Sequence, residues 1–210
     1  YSPTGPCSIK EKLTPKEIAQ FVRMLIKMKH LSAVEHASFT FGIEGVSRSL
    51  THQLVRHRLA SYNQQSQRYV TENNFEFITP PTIAEKKEIN DLYEKTMNQI
   101  QEIYNNFIKA GIPAEDARYL LPNGVETKIV VTMNARELLH FFEIRCCERA
   151  QWEIRDLADK MLVLAKNAAP NVYIDVGPVC VTGPCNEGKM TCGKIEQIRN
   201  KYKNMKPDVK

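Results

Sequence analysis

Two places where a strand pattern runs straight into a helix pattern constrain this chain most. Thr127 to Met133 is a β-branched run, and a capped helical pattern begins at once with Asn134. Branched side chains suit a pleated, half-buried surface. Asn134, with Glu137 behind it, suits a helix start. Earlier, Ala37, Phe39, Phe41 and Ile43 alternate with Ser38, Thr40 and Gly42, which predicts a half-buried strand, and Ser47 to His57 then reads as helix. Other helices are predicted after the capping box Thr14-Pro15-Lys16-Glu17, across Ile89 to Phe107 with a stop at Gly111, briefly after Pro113, and over Ala150 to Ala168. There is no regular βαβ spacing and no glycine-rich phosphate loop. The expectation is an α+β fold rather than a doubly wound sheet.

A chain of 210 residues with 42% hydrophobic and 25% charged residues can bury a core in one domain, or two at most. No apolar run is long enough to span a membrane. Six Cys without a secretory signal read as cytosolic thiols rather than a disulfide framework, so a cytoplasmic location is expected. The net charge is +5, and Asn186 to Lys210 supplies most of it, with seven Lys/Arg against three Asp/Glu. Such a tail usually forms a solvated surface. It lacks interleaved aromatics, which argues against a nucleic-acid partner.

One segment stands apart. The 27 residues between Glu44 and Glu72 contain no Asp, Glu or Lys, yet they hold Arg48, Arg56, Arg58, Arg68, His52 and His57. Guanidinium groups present planar forks matched to phosphate and carboxylate. Gln53, Ser61, Asn63, Gln64, Gln65, Ser66 and Gln67 add neutral hydrogen-bonding groups among them. The combination suits an anion that also carries polar ring edges, which describes a nucleotide. A solvated basic loop is the plainer alternative.

Cys180, Cys185 and Cys192 sit among Gly177, Pro178, Gly183, Pro184, Gly188 and Gly193. Cysteines bounded by Gly and Pro can form a zinc knuckle, but the spacing is loose and no fourth ligand is obvious, Cys7 being the only other Cys outside the helical patterns. No metal is assigned. Cys146 and Cys147 read as packing thiols.

The order of residues goes further than their composition. Arg56-His57-Arg58 is followed by seven residues and Ser66, within the sequence Arg56 to Tyr69. Upstream lies His30-Leu31-Ser32-Ala33-Val34-Glu35-His36, then Phe39-Thr40-Phe41. Downstream come Ala117-Arg118-Tyr119-Leu120-Leu121-Pro122, Asn134-Ala135-Arg136, Phe141-Phe142, Arg145 and Ala150-Gln151-Trp152-Glu153-Ile154-Arg155. In this order these segments resemble the flavin-dependent thymidylate synthases. Tyr1-Ser2-Pro3 resembles the stretch after that family's first strand and helix, which implies that this unit is missing here.

The resemblance implies helices packed around an antiparallel sheet over residues 1–176, followed by a Cys-containing basic segment, 177–210. It implies conversion of dUMP to dTMP, with methylenetetrahydrofolate as carbon donor and NADPH as reductant through FAD, in homotetramers whose active sites lie at subunit interfaces. The positions matching flavin contacts are Ser32, Arg56, His57, Arg58, Gln64, Asn134, Arg136 and His140. Those matching the dUMP site are Gln53, Arg56, Gln64, Ser66, Gln67, Arg68, Arg118 and Arg145. His30 matches a histidine near the flavin, with a role in folate or nicotinamide handling. Arg145, Ser66 and His30 are the expected catalytic positions, with Ser66 positioning substrate rather than attacking it. Gln64 departs from the Glu of many relatives, and His140 from the Asn of some. On straight-helix geometry Arg136 and His140 share a face while Arg145 looks away, which implies one helix serving two sites. A non-catalytic nucleotide- or nucleic-acid-binding protein using the Arg-rich segment stays open as the alternative.

Overall fold

The computed structural model describes residues 13–205. Helix α1 (Pro15–Lys27) opens with the expected capping box: Thr14 Oγ1 accepts from the Glu17 amide, and the Glu17 carboxylate accepts from the Thr14 amide. Strand β1 (Ser38–Ser47) and helix α2 (Arg48–Leu54) form the first strand–helix junction, with Ser47 Oγ capping the Leu50 amide at 3.1 Å. Strand β2 (Ala60–Gln64) follows. The long helix α3 (Lys87–Lys109) comes next, and strand β3 (Glu126–Asn134) leads directly into α4 (Ala135–Arg145). Helices α5 (Trp152–Ala168) and α6 (Ile195–Asn204) complete the chain.

The three strands form one small antiparallel sheet in the order β1-β3-β2. Helices and a small sheet make the fold α+β, as expected. On β3 the alternation is complete, with Thr127, Ile129, Val131 and Met133 all buried. Strand β2 was not expected from the sequence, and α2 ends at Leu54 rather than His57. The Arg56 and His57 amides bond to the carbonyls of Gln53 and Leu54, a three-residue step that tightens and ends the helix.

The chain divides into two compact units, residues 40–132 and residues 1–39 with 133–210. In the first, Phe75, Met97 and Val125 form a core packed by Phe77, Tyr93, Ile100 and Leu121. In the second, Tyr173 is edge-on to Phe39 and Phe142, with centroids 5.6 and 5.9 Å away. Leu138, Ile154, Met161 and Leu162 are buried there too. The basic tail is not simply a solvated surface. Helix α6 buries Ile198 and Tyr202, and Lys166, itself buried, donates to the carbonyls of Tyr202 and Met205 at 3.1 and 3.3 Å. That ammonium satisfies carbonyls at the end of α6 that the helix leaves open. The readings placed on Tyr1-Ser2-Pro3 and Cys7 lie outside the described residues.

Candidate functional site

The expected site residues fall in both units. Residues 40–132 hold Gln53, Arg56, His57, Arg58, Gln64, Ser66, Gln67, Arg68 and Arg118. The other unit holds His30, Ser32, Asn134, Arg136, His140 and Arg145.

In the first unit, the turn that ends α2 sorts the Arg-His-Arg triplet. Arg56 and Arg58 are exposed, whereas His57 is only 6% exposed. Tyr62 Oη lies 2.8 Å from the carbonyls of both Leu54 and His57 and fixes the turn to β2. Among the described residues no carboxylate pairs with Arg56 or Arg58. Strand β2 then turns Gln64 inward, where its amide donates to Thr51 Oγ1 at 3.0 Å and Thr127 Oγ1 at 3.3 Å. Gln64, Gln65 and Ser66 line a cavity of about 700 Å³ with Asn63 and Lys128 as polar neighbours and Ile43, Val70 and Ile129 as apolar ones. Ser66 Oγ accepts from the Arg68 amide at 3.2 Å. A backbone amide cannot take a proton from the hydroxyl, so this contact orients Ser66 without activating it.

Arg68 and Arg118 converge on one residue that the sequence reading passed over. Arg68 Nε and Nη2 contact Glu115 Oε2 at 3.0 and 2.9 Å, and Arg118 Nε donates to the Glu115 carbonyl at 3.1 Å. Arg48, noted in the acid-free window but given no role, is the second omission. Its Nη2 donates to the Gln65 carbonyl at 3.2 Å, while its buried Nε has no partner. Burial, and then nearby Arg118, lower its pKa, with Glu72 acting the other way. Burial likewise raises the Glu72 carboxyl, against the pull of Arg48. Only the absence of local acids could have marked Arg48 from sequence. Nothing in the sequence pattern marks Glu115.

In the second unit, Asn134 caps α4, its Oδ1 accepting from the Glu137 amide at 2.9 Å. The Ala135 amide donates to the Ala37 carbonyl at 2.8 Å, and Arg136 Nη1 pairs with Glu35 Oε1. These contacts bring the start of α4 to the short turn Leu31–Val34, which carries exposed Ser32 and follows exposed His30. The far end of α4 behaves differently from the straight-helix expectation. His140 and Arg145 both line a cavity of about 430 Å³, together with residues of the C-terminal segment, whereas Arg136 does not. Arg145 is the last residue of the helix, where a long side chain can swing beyond the direction fixed by helical spacing.

A donor set of this kind fits an anionic dinucleotide. Within residues 40–132 it offers exposed Arg56 and Arg58 with no carboxylate partner among the described residues, and an unpartnered buried guanidinium nitrogen of Arg48, whose Nη2 donates to the Gln65 carbonyl.

Fold and motifs together describe a nucleotide-site protein of the α+β class, and comparison with known proteins places it. Residues 1–171 match the family described as thymidylate synthase complementing protein. The chain is 50% identical to the flavin-dependent thymidylate synthase of Geobacter sulfurreducens over 98% of its length and 89% of the relative's. It is 46% identical to the enzyme of the same name from Clostridium tetani over 96% of this chain and 88% of that one. With that of Pyrococcus furiosus it shares 44% identity over 93% of this chain and 84% of the relative. This chain belongs to the flavin-dependent thymidylate synthase family.

Proposed function

We propose that this protein is an FAD-dependent thymidylate synthase, a methyltransferase of nucleotide biosynthesis that converts dUMP to dTMP. Methylenetetrahydrofolate is the carbon donor and NADPH the reductant. The observation that carries this reading at the level of the site is the Arg56–Arg68 segment: Arg56 and Arg58 are exposed with no carboxylate partner among the described residues, and further along the same segment Asn63, Gln64, Gln65 and Ser66 line a cavity together with Glu44 and Lys128. Family membership agrees with it.

The flavin, when bound, supplies reducing equivalents drawn from NADPH. Arg56, His57, Arg58, Ser32, Asn134, Arg136, His140 and Gln64 would hold it. The exposed guanidinium groups of Arg56 and Arg58 suit its pyrophosphate, and His57, facing inward, holds the turn that presents them. Gln53, Gln64, Ser66 and Gln67 position the pyrimidine by hydrogen bonds, and an amide both donates to and accepts from the uracil edge. Arg68 and Arg118 clamp the phosphate, which requires Arg68 to leave Glu115. Arg145 stabilises charge that develops on the uracil as its C5 attacks the folate carbon. No protein nucleophile is invoked. His30 serves folate or nicotinamide.

Two apolar stripes support assembly into a homotetramer with sites at subunit interfaces. Ile18, Phe21 and Met24 on α1 are 44, 47 and 45% exposed, and Ile89, Leu92, Ile103 and Phe107 are exposed on α3. A cytoplasmic location fits a chain whose described helices include none long and apolar enough to cross a membrane.

The test is an absorbance spectrum of the purified protein, followed by anaerobic addition of NADPH and dUMP and an assay for dTMP with methylenetetrahydrofolate. Flavin bands that bleach with NADPH, together with dTMP formation, are expected. A protein that takes up no FAD and releases no tritium from dUMP labelled at C5 would overturn the reading. Mixed oligomers of Arg136→Ala and Arg145→Ala chains test the shared site, and rescue of activity is expected. A covalent uridylate adduct that is trapped on Ser66 and lost in Ser66→Ala would show that Ser66 attacks rather than positions.

A further inference from the structure

The cavity at the end of α4 holds a group of side chains that dTMP synthesis does not use. Cys147, Cys180 and Cys185 all line it. Cys147 sits in the turn just after α4, where its carbonyl accepts from the Ala150 amide at 2.9 Å. The other two lie in the Gly/Pro-bounded C-terminal loop. Cys192 belongs to the same group, because it and Cys185 act electrostatically on both Cys147 and Cys180. Burial is the main influence raising those two thiols. Glu187 and the neighbouring sulfurs add to it for Cys147, and the neighbouring sulfurs alone for Cys180. All of these cysteines are free thiols.

The loop is held in place independently of the sulfurs. Arg199 Nε donates to the Cys180 carbonyl at 2.9 Å, and its Nη2 donates to the Gly183 carbonyl at 3.0 Å. Arg149, two residues after Cys147, reaches Glu187 between Cys185 and Cys192, with 3.7 Å between Nε and Oε2. Gly188 and Gly193 adopt φ of 53° and 72°, left-handed turns that glycine tolerates best. As they stand, no three His, Cys, Asp or Glu side chains among the described residues are placed to hold a metal ion, so a site here requires the loop to move. The thiols are gathered in one place but not drawn together.

We propose that Cys147, Cys180, Cys185 and Cys192 form a structural site for a thiophilic dication of the zinc class. Cys147 is the fourth ligand that the spacing of the other three does not reveal, and it comes from a helix end more than thirty residues earlier in the chain. The metal draws the loop inward until all four sulfurs stand at metal–sulfur bonding distance, ~2.3 Å. Four S–H bonds are exchanged for four metal–sulfur bonds with release of four protons, and no electron moves. The resulting shell carries two negative charges, which Arg149 and Arg199 on its border offset. Site closure pins the C-terminal segment to the end of the helix that carries His140 and Arg145.

The experiment uses the full chain purified without chelator. About one zinc per chain by mass spectrometry is expected. Metal-free protein titrated with cobalt(II) should show thiolate-to-cobalt charge transfer in the near ultraviolet and tetrahedral ligand-field bands in the visible. Cys192 is exposed, so Cys192→Ser costs no packing, and it should weaken cobalt uptake by more than about tenfold. Cys185→Ser is a second, independent variant with the same expectation. Reduced metal-free protein that gives no cobalt spectrum overturns the proposal. Cobalt uptake without the sulfur band would place the ion on His140 and the carboxylates and overturn it equally. Retention of the full spectrum in both variants does the same. None of these readouts depends on thymidylate synthesis.

Discussion

The two units handle cations in opposite ways. In residues 40–132, Arg56 and Arg58 stand exposed in a stretch stripped of acids, and Arg48 is kept partly buried with one nitrogen unpartnered. In the other unit several cations outside the proposed site tie the chain to itself. Lys166 closes the end of α6, Lys201 pairs with Asp159, Arg199 holds the C-terminal loop, and Arg23 donates to Asn171 at 3.1 and 3.2 Å. Where carbonyl, amide or carboxylate oxygens lie within reach, a positive group is spent on structure. Where the sequence withholds acids, the charge remains for a ligand. The contrast makes a rule that substitutions can break: cations of the first kind should matter to binding and not to folding, and cations of the second kind the reverse.

The largest effect is expected at Arg58→Ala. Loss of a charge-assisted hydrogen bond is worth about 1.5–3 kcal/mol, so kcat/KM or flavin affinity should fall roughly 10- to 150-fold. Stability should shift by no more than about 0.5 kcal/mol, because the side chain is exposed. Denaturant melts and a flavin titration on one preparation decide it, and a large loss of stability with normal flavin binding would break the comparison. Lys166→Met is the mirror case. Removing the ammonium leaves the carbonyls of Tyr202 and Met205 without their buried donor, at a cost of about 1–3 kcal/mol. Once folded, the variant should bind FAD normally.

Gly177→Ala probes the same tethering of the C-terminal segment without touching a charge. A Cβ there would sit 2.9 Å from the Tyr202 ring and 2.9 Å from Val181 Cγ2. Overpacking of this kind costs about 1–3 kcal/mol. The melting temperature should fall, and the loss should be partly relieved by Val181→Ala. No relief would mean that the Tyr202 ring, which Val181→Ala leaves in place, sets the cost.

The same contrast explains what could be read from the sequence. The two strand–helix junctions were legible because their periodicity and caps are local: Ser47 and Asn134 each sit next to the helix they cap. Strand β2 was not. Ala60, Tyr62 and Gln64 alternate inward, but only Tyr62 is a large apolar residue, and its pairing depends on β3, far along the chain. Helix α6 escaped for a similar reason. Its anchors are Lys166 and the Cys146 carbonyl, which Tyr202 Oη reaches at 2.9 Å across 56 residues. The cation-rich segment was visible as a composition, and its motifs gave the family. Which of its arginines are already paired was not, since Glu115 lies 47 positions from Arg68.

Glu115 therefore gives the finest test. Arg68 follows neither half of the rule cleanly: it belongs to the acid-free segment, yet it is paired. Both partners are about half exposed, at 51 and 47%, so the pair itself is worth only about 0.2–1 kcal/mol. If Arg68 must leave Glu115 to meet a phosphate, that small energy opposes dUMP binding. Glu115→Gln keeps the side chain's size and removes its charge. It should tighten dUMP about 1.5- to 5-fold, with little change in melting temperature. The gain should shrink as salt is raised, because screening already weakens an exposed pair. Weaker dUMP binding would instead make Glu115 the residue that aims Arg68, a carboxylate holding a guanidinium in place for its ligand, and the line between structural and reserved cations would then run through the middle of the segment.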